Sequence, residues 1–535
     1  MRRYFTGENF MLLLFFSLFM AIVMSRFEFT WDDSAITIAF SKTLALTGDI
    51  RPSVYSDRVE GYSSFLWMML NCLFFKAGAG ENTALLLSKT LALFFNVLTA
   101  FLLYRLLKQR VKNIFIIFLG LFSFLFSSAS LFESINGMET PLYAFLLLQS
   151  FAAFEKMREN SRMSYVFIAA SSLFILVRHE AAWYLAPFLI IDLYNDGGKV
   201  FKKSYPYIWL TVFLSYNVWH YNYFSEFLTN PMIAKKNAPY TPDFENSFEY
   251  IKFHAFPLIL IITDNLQIIW AAFAFDRFSV FGKKEDIKFE NRLRWDKTLL
   301  FVVFGLVFNV IIGTNWGPKG RMFMPALPFL ILYFAGVFDR KEKPLNAANL
   351  LPVFLFAAFF CYMNTGFFVK LAGEQMQVRG FKTVWNSVEN LMHSAGLEKL
   401  TYAGPDMGGF LLFSKNLRVT DTALLCSRHL ARNGYKAFGE YIFEKEKPGV
   451  IKTHVVWTFL SRVYDDERFY RDYRPVICTG TKLFLSKNIF DGLQKKGLLK
   501  SIKIPVIYES ESPYAKYDNL IYEKFGSCYE LESRP

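Results

Sequence analysis

Asp32 and Asp33 stand side by side in the stretch Trp31-Asp32-Asp33-Ser34. Adjacent carboxylates point in different directions on a helix or loop. One can therefore take a proton while the other fixes a cation or an arginine, and their repulsion raises the pKa of at least one. The pair would serve equally as an N-cap for the Ser-Ala-Ile-Thr-Ile-Ala-Phe run that follows, and the two roles can coexist. Arg178-His179-Glu180 offers a guanidinium able to grip a phosphate bidentately, or to anchor a helix end at the headgroup level. Lys319 and Arg321, in Gly317-Pro318-Lys319-Gly320-Arg321, form a second cation pair on a Gly/Pro turn, again as a phosphate grip or as snorkelling side chains. Arg58, Glu60 and Tyr62, then Asn136 and Glu139, then Asn230, complete the polar groups able to line a substrate chamber. Six His and five Cys are scattered with no C-x-x-C pair, which disfavours a zinc or haem site and leaves open one disulfide among Cys426, Cys478 and Cys528. A divalent cation near Asp32 and Asp33 is the one cofactor these residues could hold. Gly404-Pro405-Asp406-Met407-Gly408-Gly409 fails the G-x-G-x-x-G phosphate-binding spacing.

The elements that must position these residues are apolar. Of 535 residues 53% are hydrophobic and 19% aromatic, with 62 Phe, which already argues against a soluble cytosolic enzyme. Apolar stretches of roughly membrane-spanning length recur near 10–27, 84–104, 114–132, 138–154, 164–177, 181–194, 205–223, 255–275, 298–313, 322–338 and 347–369, and none follows. The expected fold is therefore a mainly α polytopic bundle of about eleven transmembrane helices over 1–371, with a first outer loop over 28–83. Arg2 and Arg3 precede an apolar run as in a signal peptide, but Met24-Ser25-Arg26 is a poor cleavage site, so the first helix is read as retained. With the N-terminus in the cytoplasm, the inner segments hold 22 Lys/Arg in 67 residues and the outer ones 11 in 107. That asymmetry makes the net charge of +13 mainly a topology signal and removes most of the case for nucleic acid. It requires 63–79 to lie at the outer interface rather than span. Every polar motif above then falls at the outer face, as does the tail.

The tail, 372–535, reads as an extracytoplasmic α/β domain. Val455-Val456-Trp457 and Ile504-Pro505-Val506-Ile507 look like strands and 382–396 like a helix. A transporter or lipid flippase would also need many spans and a polar chamber, but would be expected to show an internal repeat and charges at mid-membrane. Neither is evident.

The motifs in this order, Trp31-Asp32-Asp33, Arg58-Val-Glu-Gly-Tyr62 through Trp67, Asn136-Gly-Met-Glu-Thr140, Val177-Arg-His-Glu180, Tyr223 through Pro231 with Ala234-Lys235, and Gly317 through Pro325, resemble the polytopic C-type (GT-C) glycosyltransferases. The nearest look is to the branch containing the mycobacterial terminal arabinofuranosyltransferase and its bacterial relatives. The resemblance spans essentially the whole chain, including Pro405-Asp406-Met407-Gly408 and Val419-Thr420-Asp421. It implies an inverting transferase of the bacterial inner membrane that moves a sugar from a polyprenyl-phosphate carrier to an acceptor hydroxyl of an extracytoplasmic glycan, lipid or protein. By position it points to Asp32 as general base with Asp33 beside it, and to Arg178, Lys319 and Arg321 at the donor phosphate. The chain departs from its relatives at His179, where they commonly carry proline, and near Asn315, where they carry an acidic residue.

Overall fold

The computed structural model describes residues 7–237, 240, 246–264, 296–313, 321–339, 347–371, 377–503 and 514–532. The chain folds into two compact units interleaved along the sequence. One takes Met1–Thr30, Leu86–Asn217 and Phe244–Glu374; the other takes Trp31–Leu85, Val218–Asp243 and Gln375–Pro535.

The first unit is helical. Each apolar stretch expected to span is a helix where it is described, among them Gly7–Ser25, Thr140–Lys156, Ser161–Val177, Ala181–Asp196, Lys297–Ile312, Leu327–Asp339 and Ala347–Leu371. Among the described residues only Gly7–Ser25 and Glu81–Arg110 are both long and apolar enough to cross a membrane by themselves, so helix lengths do not carry a count of eleven crossings. The run expected at 114–132 is two helices, Ile114–Leu125 and Ser128–Asn136, bent by 49°. The break has a local cause: the Ser127 hydroxyl accepts a hydrogen bond from the Ser130 N–H at 3.2 Å and so starts a new helix inside an apolar run. Asn96 then ties this second helix down, donating through Nδ2 to the Ser130 carbonyl and hydroxyl and to the Ser134 hydroxyl at 2.6–3.1 Å. Aromatic rings fill much of the interior, as in the stacked Phe301–Phe329 pair with centroids 4.4 Å apart.

The second unit is α/β. Its sheet has seven strands, β1 (Leu400–Gly404), β2 (Leu417–Asp421), β3 (Val450–Ile451), β4 (Tyr473–Cys478), β5 (Thr481–Ser486), β6 (Leu499–Ile502) and β7 (Cys528–Leu531), in the order β2-β1-β3-β5-β4-β7-β6. β1 pairs parallel with β2 and β3, while β4 and β5 form an antiparallel hairpin. The hairpin turns at Thr479-Gly480, both at positive φ (44° and 79°), as a two-residue turn matching the strand twist requires. The expected helix at 382–396 is Val378–Ala395.

The strand expected at Val455-Val456-Trp457 is instead the start of a helix, Val455–Ser461. Asp518, 60 residues and more away in sequence, overrides the β propensity: its carboxylate accepts from the Val455 N–H at 2.6 Å and the Thr458 hydroxyl at 2.7 Å. The strand expected at 504–507 lies outside the described residues. All five cysteines are free, so the disulfide left open among Cys426, Cys478 and Cys528 is not formed.

The segment expected as an outer loop is structured. It forms helices Asp32–Thr47 and Phe65–Lys76, the latter falling within the stretch read as interfacial. Phe40, Tyr62 and Met68 from this segment share one apolar core with Val388, Tyr402, Phe410 and Leu483 of the tail. Burial of that shared surface, rather than any linker, holds 31–85 to the sheet.

Candidate functional site

Asp32 and Asp33 open the helix Asp32–Thr47, whose N-cap is Trp31 with no side-chain cap bond. Asp32 caps a different helix. It is 1% exposed, and its two carboxylate oxygens accept from the Gly408 N–H at 2.8 Å and the Gly409 N–H at 2.6 Å, at the start of Gly408–Phe413. Gly408 is required by this contact, since a Cβ there would lie 1.8 Å from the Asp32 carbonyl oxygen, while a Cβ at Gly409 would meet the Val378 carbonyl oxygen at 2.6 Å. Burial, reinforced by the charges of Asp406 and Asp33, pushes the Asp32 carboxyl well above its ordinary range against the pull of the two N–H bonds. Asp33 is half-buried.

Two further carboxylates belong to the same charged group: the charge of Asp406 acts on Asp32 and on Asp421. Asp406, at φ +54°, accepts from His454 Nδ1 at 2.8 Å and Trp457 Nε1 at 3.3 Å. Asp421 ends β2, accepts from the Ala423 and Cys426 N–H groups at 2.7 and 2.8 Å, and is pushed up to about 6 by burial and by the charge of Asp406. Desolvation, reinforced by the charges of Asp421, Asp33 and Asp406, holds the half-buried Tyr240 well above the ordinary phenol range. Asp421 stands at, and Asp406 just beyond, the carboxyl end of a parallel strand, where open α/β sheets commonly hold ligands. That position was the signal available to find them in sequence, once the strands were known.

The remaining expected residues of this unit are closely placed in sequence but differ in role. Arg58 is half exposed, pairs with Asp49 at 2.5 Å and lies 5.0 Å over the Tyr223 ring. Glu60 is buried against His220, whose Nδ1 meets the Glu226 carbonyl at 2.8 Å; sequence reading did not single out His220. Tyr62 is a core side chain edge-on to Phe40. Asn230 docks its segment, donating through Nδ2 to the Leu424 and Leu425 carbonyls at 3.1 and 2.7 Å.

In the first unit Arg178 and Arg321 come together on Glu139. Arg178 Nη1 lies 2.5 Å from Glu139 Oε1, and its Nε and Nη2 donate to Glu180 Oε1 at 3.0 and 2.7 Å. Arg321 Nη2 is 3.5 Å from the same Glu139 oxygen, and its Nε is 3.8 Å from Glu133 Oε1. Glu133, Glu139 and Asn136 are fully buried, and the two arginines less than one-tenth exposed. Three carboxylates thus face two guanidinium groups. Buried charge of this kind persists only when paired, and a buried group left unpaired is costly. His179 stacks edge-on to Tyr216 at 5.3 Å. Lys319 and Asn315 lie outside the described residues.

The divalent cation considered near Asp32 and Asp33 finds no ready cage: among the described residues no three His, Cys, Asp or Glu side chains are grouped to hold a metal, and both Asp32 oxygens already take N–H bonds.

No protein-family model matches the chain, and no curated protein is significantly similar to it in sequence. Its fold is that of ArnT from Cupriavidus metallidurans. The apo crystal structure superposes with a TM-score of 0.57 at 13% identity, over 90% of this chain and 98% of that one. The structure bound to undecaprenyl phosphate gives 0.54 at 12% identity, over 89% and 97%.

Proposed function

We propose that the chain is a membrane glycosyltransferase that takes a sugar from a polyprenyl-phosphate donor and passes it, with inversion, to an acceptor hydroxyl outside the cytoplasm. The observation that carries this reading is the fold shared over nine-tenths of the chain with ArnT, a polytopic GT-C glycosyltransferase one of whose structures holds undecaprenyl phosphate. The six motifs, read from sequence alone, point the same way. They look nearest to the arabinofuranosyltransferase branch, whereas the fold match is to ArnT, and the sugar is left general.

The reaction needs a proton acceptor at the nucleophile and positive charge at the leaving group. The acceptor oxygen attacks the anomeric carbon, its proton passes to a carboxylate, and the carbon–oxygen bond to the lipid phosphate breaks on the opposite face. Within the acidic pair, Asp33 suits the proton acceptor better than Asp32. Asp33 is half-buried and so within reach of a substrate, whereas both Asp32 oxygens are engaged and the residue is sealed from solvent. Asp32 then positions the first turn of its helix against the tail. Arg178 and Arg321 are the candidates to receive the departing phosphate, each already oriented by neighbouring carboxylates.

The test is release of lipid phosphate from a polyprenyl-phosphate sugar by the protein in proteoliposomes supplied with an acceptor glycan. Asp33→Asn is expected to lose about 10²–10⁴-fold in turnover, the usual worth of a positioned base, while keeping its fold. Turnover near the wild-type rate in Asp33→Asn and Asp32→Asn alike would remove the acidic pair from the mechanism.

A further inference from the structure

The second unit contains an open cavity of about 680 Å³, within the size range of small-molecule clefts. Its wall carries five arginines, Arg51, Arg58, Arg418, Arg428 and Arg432, against one lining carboxylate, Asp57. Behind the wall the acids are too few to neutralise them. Arg51 and Arg58 share Asp49, the Arg58 contact being 2.5 Å. Arg428 and Arg432 share Glu226, the Arg428 contact being 3.0 Å. Each of these pairs therefore keeps one uncompensated positive charge, while Arg418 is outnumbered by Asp57 and Glu446 at 2.9 and 3.0 Å, so that five arginines and four carboxylates leave one positive charge in excess. Arg58, Arg428 and Arg432 are 40–50% exposed and have N–H groups to offer.

Aromatic faces accompany the charge. Tyr441 lines the cavity with His429 stacked on it at 4.3 Å, and Tyr223 lines it under Arg58. Guanidinium forks bind planar or tetrahedral oxyanions bidentately, and flat rings cover the apolar faces of sugars. Residues from 51–58, 223–225 and 418–441 converge to build the site, so it is a product of the fold rather than of one basic run.

We propose that this cavity binds an anionic saccharide whose carboxylate or phosphate groups are held by the two arginine pairs. The inference rests on the glycosyltransferase reading only in giving that saccharide the role of acceptor; binding itself stands apart from turnover.

The experiment is equilibrium binding to the full-length protein in zwitterionic nanodiscs, with no donor present. The probes are an oligogalacturonate, a phosphorylated oligosaccharide, a neutral oligosaccharide of equal length, and a short-chain phosphatidylglycerol. Arg58→Gln and Arg432→Gln should each weaken binding of an anionic sugar about tenfold, one charge-assisted contact's worth. Asp57→Asn should tighten it severalfold, a gain that misfolding cannot produce. Arg471→Gln, paired with Asp472 and not on the cavity wall, should leave it unchanged. The sugar that binds tells carboxylate from phosphate. Equal binding of the neutral sugar, or no binding of either anionic one, overturns the proposal. Phosphatidylglycerol bound in an arginine-dependent way while the sugars are not would make the cavity a lipid-headgroup site and also overturn it. Binding without transfer in the proteoliposome assay would leave the binding proposal intact and sink the transferase reading, and with it the acceptor role.

Discussion

Replacing Asp32 should separate docking from catalysis. In Asp32→Ala the Gly408 and Gly409 N–H groups lose their acceptors at a position that is 1% exposed. A buried unsatisfied donor costs about 1–3 kcal/mol, so the variant should lose about 2–6 kcal/mol. Asp32→Asn keeps one acceptor oxygen but turns an NH2 toward an N–H, which should cost about 1–3 kcal/mol. In a unit of this size each kcal/mol lowers a thermal midpoint by about 2–4 °C. Gly408→Ala attacks the same contact from the other side, because its Cβ would lie 1.8 Å from the Asp32 carbonyl oxygen. The double variant Asp32→Ala/Gly408→Ala should be less destabilised than the two single losses added, since both break one contact. Asp33→Asn, which keeps the size and shape of the side chain, should be destabilised less than Asp32→Ala and yet lose turnover. The assay is thermal unfolding in nanodiscs followed by intrinsic fluorescence, with lipid-phosphate release measured on the same samples. An Asp32→Ala protein that melts with wild type but is inactive would refute the docking argument and return the base to Asp32.

Removing Arg178 leaves the fully buried Glu139 with only the more distant Arg321, so Arg178→Met should destabilise by about 3–5 kcal/mol; Arg178→Lys should fold better yet restore turnover only in part, because the fork is gone. Asp421 binds its proton more tightly folded than unfolded, so its contribution is present below pH 4 and is lost as pH rises through about 6. Wild type should therefore lose stability relative to Asp421→Asn between pH 4 and 7, by about 3 kcal/mol at most, and parallel unfolding curves across that window would contradict the assignment. Reporter fusions after residues 110, 200 and 535 should read inside, inside and outside from the Lys/Arg asymmetry; an inside reading at 535 would overturn the orientation.

Local chemistry determined much of the molecule. Runs of Phe, Leu and Ile long enough to bury a helix on all sides produced helices at every apolar stretch that is described, because backbone groups in such runs must bond within the segment. Pairing of motifs was legible too: Arg178 and Arg321 were expected at one level and meet on Glu139. The tertiary structure decided the rest. Ser127 divided an unbroken apolar run, since a single hydroxyl can satisfy a helix start without changing hydropathy. Val455–Trp457 followed a distant carboxylate instead of its own β propensity. The segment 31–85 reads as a loop because its apolar residues are matched to partners more than 300 positions away, in the tail's core. Above all, Asp32 and Asp33 are chemically identical in sequence and differ only in where the first turn of their helix meets Gly408 and Gly409, a close approach between distant segments that no local pattern encodes.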